Sequence, residues 1–233
     1  MPVEVSPLNI LGAASVGTNL GTFSDNFTRA NDSSWGVNWT QNNLETGASV
    51  CNLSLQINAN LGRIIQTAAG SPTALFVPTP MLWLLAQPTQ RNQFCQFAWQ
   101  AVSNNVSDIY VCCVVSLNVF ATANPTGFYA IQRANGTGAI TIQKGVYSGQ
   151  MANAMAFTQL SALGGATSAA GDVLRLEAKI SAGTWTLTAF KNGVSQGSAT
   201  DTAFTYPGCP AVAAIHSLGG TTQDISGFSC GLL

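Results

Sequence analysis

Apolar and polar residues alternate with a period of two along most of this chain. Leu53, Leu55 and Ile57 alternate with Ser54 and Gln56, the pattern of a strand buried on one face. A second strand is predicted over 62–67. Cys95, Phe97 and Trp99 fall on one face of the segment 94–101, with Gln96 and Gln100 on the other. The stretch 108–119 is apolar on both faces and rich in Val, as in a central strand covered on both sides. Segments 128–132 and 139–144 flank Asn135-Gly-Thr-Gly138 and predict a hairpin. A short strand is expected around Phe157–Leu160. Leu174, Leu176, Ala178 and Ile180 then alternate with Val173, Arg175, Glu177 and Lys179. Trp185, Leu187 and Ala189 alternate with threonines before the tight turn Asn192-Gly193. The segment 211–217 reads as a core strand reaching the surface. Helical periodicity of useful length and internal repeats are both missing. Many short strands punctuated by Gly and Asn turns predict a sandwich or jelly roll.

Two regions break the pattern. Residues 1–22 are small and polar with scattered aliphatics, and read as an extended N-terminal arm. The remainder, 23–233, reads as one domain. Within it, 69–90 carries prolines at 72, 78, 80 and 88 around Phe76, Leu82, Trp83 and Leu84. Proline is poor in central strands, so this segment is expected to be an edge strand or an apolar insertion lying on a neighbour.

Composition narrows the classes. The chain has 233 residues, of which 46% are hydrophobic, enough for a core. Only 7% are charged, against roughly 25% in average chains. Such a surface offers little repulsion between copies and tolerates dense packing. The eight Lys and Arg are scattered and the net charge is −1, so nucleic-acid binding by phosphate neutralisation is not expected. Apolar runs stay well short of the ~20 residues of a membrane-spanning helix. The opening Met1-Pro2-Val3-Glu4 has neither a basic nor an apolar leader region, so classical secretion is not expected. Six cysteines contain no CxxC pair, and the adjacent Cys112 and Cys113 point to opposite faces of an apolar strand. Reduced, buried thiols are the expectation.

The two ends carry the most specific signal. Asp25-Asn26-Phe27, Arg29-Ala30-Asn31 and Trp35-Gly36 with Asn38-Trp39 stand near the start. Gly171-Asp172, Leu174-Arg175-Leu176-Glu177, Lys191-Asn192-Gly193 and Asp224 with Phe228 stand near the finish. This order resembles the concanavalin A-like (laminin G-like) jelly-roll family over about 22–230. The resemblance implies an all-β sandwich of two antiparallel sheets, closed by pairing its first strand with its last. Trp35 and Trp39 are expected to cap the core. The family's common roles are glycan binding, glycan cleavage and adhesion, and low-charge members resemble bacteriophage tail, fibre and capsid-surface domains.

Candidate chemistry is sparse. Glycosidases of this fold carry clustered carboxylates on one strand, and retaining hydrolysis needs two about 5 Å apart. Glu4, Glu45 and Glu177 are far apart in sequence, and Glu177 with Arg175 and Lys179 reads as a solvated strand face. His216 is the only histidine and no Gly-x-Ser-x-Gly elbow accompanies it. No catalytic residue is therefore assigned and no cofactor is expected. The resemblance implies one metal to consider, calcium, for which Asp25, Asp32 and Asp224 could converge. The plainer reading has Asp25 and Asp224 bonding to backbone at strand ends. Trp83, Leu82, Leu84 and Phe76 are the candidates for a subunit interface or a sugar-stacking surface.

These features lead to an expected non-enzymatic structural protein: a phage virion component, capsid-decorating or part of a tail or fibre, assembling through its arm and insertion. Its expected partners are other virion subunits and copies of itself. The alternative is a lectin-like, extracellular or cell-surface module binding host glycans through aromatic stacking and Asn/Asp hydrogen bonds.

Overall fold

The computed structural model describes residues 22–36, 39, 42–43, 52–68, 73–78, 92–102, 107–116, 127–134, 137–147, 155–204, 208–216 and 222–233. These form fifteen strands. They are β1 (Thr22–Asp25), β2 (Asn42–Asn43), β3 (Asn52–Asn58), β4 (Leu61–Ala68), β5 (Thr73–Pro78), β6 (Gln93–Val102), β7 (Ser107–Ser116) and β8 (Gly127–Arg133). After these come β9 (Ile140–Tyr147), β10 (Met155–Ser161), β11 (Val173–Ser181), β12 (Thr184–Lys191), β13 (Val194–Asp201), β14 (Gly208–His216) and β15 (Thr222–Leu232). One sheet runs β13-β12-β11-β6-β15-β4-β3, with β1 added to β15; the other runs β10-β9-β8-β7-β14-β5-β2. All pairings are antiparallel. Among the described residues, no helix is long and apolar enough to cross a membrane.

The hairpins follow from local chemistry. Ala59-Asn60, Ala182-Gly183 and Asn192-Gly193 each place two successive residues at positive φ, between 47° and 79°. Such two-residue turns match the right-handed twist of the strands they join. Asn192-Gly193 is the pair that most readily adopts this geometry. The two alanines adopt it at a steric cost that strand pairing offsets.

The core lies where the alternating apolar faces meet. One sheet contributes Leu55, Ile57, Ile64, Cys95, Phe97, Trp99, Leu174, Leu176, Trp185 and Leu187; the other contributes Cys113, Tyr129, Ile131, Ile140 and Ile142. Trp185 satisfies its indole N–H by donating to the Phe204 carbonyl at 2.8 Å. Cys95, Cys113 and Cys230 are buried thiols, and the Cys113 Sγ donates to the Leu176 carbonyl.

First and last strands do pair: Thr22–Asp25 lie antiparallel to Phe228–Gly231. The first strand ends at Asp25, and Phe27 takes φ 56° and turns the chain away. The turn carries Phe27 inward, where it packs on Trp35 and Trp39 with ring centroids at 4.9 and 5.6 Å. Phe228 meets Trp39 at 5.1 Å and Phe23 closes the group. Trp35 and Trp39 thus cap the core as expected.

Thr73–Pro78 is paired on both sides, by β14 and β2. The rest of the expected insertion at 69–90, with Leu82, Trp83 and Leu84, lies outside the described residues, as does the arm up to residue 21. The strands β2 and β13 carry no alternating apolar signal. β13 forms because β12 offers it an unpaired edge.

Gly62 on β4 lies against the Phe27 ring. A Cβ there would stand 2.9 Å from three ring carbons. Gly62→Ala is expected to destabilise the fold by about 1–3 kcal/mol through overpacking, read as a lower urea midpoint with an unchanged slope.

Candidate functional site

Alternation gives the eight-stranded sheet an outer face as well as a core face, and strand register arranges that outer face in rows. Ser24 on β1 stands opposite Ser229 on β15, which stands opposite Gln96 on β6, which stands opposite Arg175 on β11. The neighbouring row is Gly227, Ala98 and Val173. A third row holds Gly231, Phe94 and Glu177.

Ser24, Ser229 and Gln96 of the first row and all of the second line a groove of about 460 Å³, with Asp25 and Asn26 at its β1 end. Its floor is low because Gly227, Ala98 and Val173 carry small side chains. The sheet is irregular there: β15 shifts register against β6 on either side of Ile225. Gly227 keeps an ordinary φ, and a Cβ added to it would meet nothing within 4 Å. A strand glycine costs about 0.5–1 kcal/mol relative to alanine. Neither a positive φ nor a close neighbour calls for one here; the register shift after Ile225 is the one backbone feature beside it.

The groove's walls are polar. The hydroxyls of Ser24 and Ser229, the Asn26 Nδ2 and the Gln96 Nε2 make no hydrogen bond to other described residues. Gln96 Oε1 accepts a long contact from Arg175 Nη1 at 3.5 Å. Arg175 sits over the Phe94 ring, its Cζ 3.8 Å from the centroid, and donates twice to Glu177 Oε1 at 3.0 and 2.7 Å. Lys179 pairs with Glu177 Oε2 at 3.0 Å. Burial pushes the Glu177 pKa up, but hydrogen bonds from Lys179 and Arg175 outweigh it and hold the carboxyl below its ordinary value.

At the groove's end, Asp25 is a hub. Its Oδ1 accepts from the Phe27 backbone N–H and Arg29 Nη1, both at 2.7 Å. Its Oδ2 accepts from Arg29 Nη2 at 3.0 Å and Trp39 Nε1 at 2.8 Å. Arg29 also donates to the Trp35 carbonyl. Burial raises the Asp25 pKa, but Arg29, Phe27 and Trp39 together bring it below the ordinary value. The site's charges are therefore paired within the protein, and its hydroxyls and amides are left to face solvent.

The sequence candidates are placed differently. Asp32 accepts from the Ser34 N–H at 2.9 Å and from its hydroxyl at 3.2 Å. Asp224 does not bond to backbone as expected; it takes both Nε and Nη2 of Arg63 at 2.7 and 2.8 Å. Asp25 is opposite Phe228, while Asp224 is opposite Arg63 on β4, so pairing of the end strands does not bring the carboxylates together. Among the described residues, no three His, Cys, Asp or Glu side chains gather to hold a metal ion. Phe76 lies on β5, its side chain outside the described set. Sequence reasoning did not single out Ser24, Gln96, Gly227 or Ser229. The available signals were the polar face of the 94–101 alternation and a glycine inside a strand pattern, which marks a bulge or a close backbone approach.

No protein-family model matches the chain, and no curated protein matches it significantly. Solved structures do. An endo-1,3-β-glucanase from Streptomyces sioyaensis is 11% identical with a TM-score of 0.54, over 91% of this chain and 97% of that one. LamAcat from Zobellia galactanivorans is 11% identical with a TM-score of 0.55, over 91% and 98%. A β-1,3-1,4-glucanase (lichenase) from a mouse hindgut metagenome is 10% identical with a TM-score of 0.51, over 91% and 100%. The fold is the concanavalin A-like jelly roll. At this identity the likeness carries the architecture and no residue's role.

These neighbours overturn one expectation. The low charge and apolar segment suggested a phage virion subunit, but the three solved chains above, which match this fold from end to end, are glucanases. A charge-poor sandwich is as compatible with glycan recognition as with dense packing. The virion reading is withdrawn.

Asp25 supplies a test of the site's frame. A carboxyl with a depressed folded-state pKa adds stability that is complete above its unfolded value and is lost as pH falls through the folded one. Asp25→Asn is expected to lower stability at pH 7 by about 1–2 kcal/mol. The gap between the two proteins should close only below pH 3.8, the ordinary carboxyl value. Urea titrations of both proteins from pH 7 to pH 2 check this, since the other lowered carboxyls, Asp172, Glu177 and Asp201, act equally in each.

Proposed function

We propose that this chain is a carbohydrate-binding module that holds neutral glycan on the outer face of its eight-stranded sheet. The observation that carries the reading is the row Ser24–Ser229–Gln96, whose two hydroxyls and Gln96 Nε2 line a groove and remain unused by the described protein, while Gln96 Oε1 takes only a long contact from Arg175. Sugars present hydroxyls that both donate and accept, and serine and amide groups answer them in kind. A binding surface of this sort gains from few net charges, because an unpaired charge would have to be desolvated. Asp25 and Glu177 are instead matched by arginine and lysine. The glucanase neighbours add support at the level of fold. The setting this implies is extracellular or at a cell surface, where glycans are met.

The reading is of binding without cleavage. Glycoside hydrolysis needs a carboxylic acid with a raised pKa to protonate the leaving oxygen. Among the described carboxyls, Asp25, Asp172, Glu177 and Asp201 are held below their ordinary values, the opposite direction. Each already accepts hydrogen bonds from its neighbours.

An array of neutral oligosaccharides, followed by calorimetry on any that bind, checks the proposal. Binding is expected, with no new reducing ends after prolonged incubation. The double substitution Gln96→Leu with Ser229→Val should weaken binding about tenfold or more, since it leaves sugar hydroxyls without partners. A silent array would remove the proposal, and release of reducing ends would contradict its non-hydrolytic part.

A further inference from the structure

We infer that the groove selects an extended, unbranched β-linked glycan lying across the strands, with Gly227 as the residue that sets this specificity. The inference rests on the glycan-binding reading above. Adjacent strands are about 4.8 Å apart, so Ser24, Ser229 and Gln96 offer polar groups at that repeat along one line. One sugar unit of an extended β-linked chain advances by a similar step. Successive rings would meet successive strands, each with a hydroxyl or amide beside it. A coiled α-linked chain leaves that line after a ring or two.

Width argues for an unbranched chain. Residues on one face of a strand recur about every 7 Å, and the low floor of Gly227, Ala98 and Val173 is a single row. That is room for one ring and not for a side branch. The apolar floor suits the C–H face of a sugar ring, and the polar row suits its hydroxyl edge.

Gly227 is the informative position. With an ordinary φ and open space where its Cβ would be, any L-residue could stand there without strain. Glycine inside a strand marks a bulge or the close approach of another molecule. The register shift between Ile225 and Gly227 accounts for the first, and the open space over Gly227 admits the second. A larger side chain would fill the groove and leave the core untouched.

Calorimetry on the full chain, with linear β-1,4-linked and α-1,4-linked glucose hexasaccharides and a branched glucan oligosaccharide, tests this. The β-linked hexasaccharide is expected to bind at least about tenfold more tightly than either competitor. Gly227→Leu should reduce its affinity about tenfold or more, and Gly227→Ala by less, with melting temperatures close to wild type. If Gly227→Leu proves poorly folded, a folded Gly227→Ala with weakened binding supports the inference, and one with unchanged binding overturns it. Unchanged binding by folded Gly227→Leu, or equal affinity for all three sugars, overturns the specificity while glycan binding stands. A wild type silent to every glycan overturns both.

Discussion

The Asp25 carboxylate holds together the part of this sandwich that local sequence cannot. It grips the Phe27 amide, the Arg29 guanidinium and the Trp39 indole at once. A bulky residue at positive φ is costly, and the bond to its N–H is what keeps Phe27 there. That turn ends β1 after four residues and sends the ring into the cluster with Trp35, Trp39 and Phe228. The first strand is therefore fixed against the last by a hydrogen-bonded anion on one side and packed aromatic rings on the other. Because burial disfavours the charge, the arrangement is stable only while its donors are in place.

The groove is a consequence of this closure. β1 and β4 share one edge of β15, with β1 opposite Phe228–Gly231 and β4 opposite Thr222–Ile225. Once β1 is registered on β15, Ser24 must fall beside Ser229. The β15–β6 and β6–β11 ladders then extend the row to Gln96 and Arg175. The register shifts beside Ile225 put Gly227 opposite Ala98 and lower the floor between rows. From the end of the first row, Arg175 reaches over the third, where it donates to Glu177 and sits over the Phe94 ring. The chemistry left exposed is that of hydroxyls and amides, in a line fixed by inter-strand spacing.

Much of the fold was legible because its signals are local. The alternation of Cys95, Phe97 and Trp99 named the buried face of β6 before any partner was known. Asn192-Gly193 named a turn that needs positive φ twice. The tryptophans at 35 and 39 were read correctly as a cap. β13 escaped because Val194–Asp201 is small and polar and becomes a strand only through β12. The site escaped for a related reason. Ser24, Gln96, Arg175 and Ser229 share no local pattern and meet only through register between strands distant in sequence. Asp224 was misjudged in the same way, since nothing near it in sequence announces Arg63. The functional expectation erred by reading scarce charge as a packing surface, when the same scarcity suits a surface that hydrogen-bonds to neutral ligands.

The most direct measurement is a backbone amide NMR titration of the full chain with a soluble linear β-linked glucan oligosaccharide. Saturable shifts centred on Ser24, Gln96, Gly227 and Ser229, with the amides of β8 and β9 unmoved, are the predicted result. Shifts confined to the seven-stranded sheet, or no shifts at millimolar sugar, would contradict it.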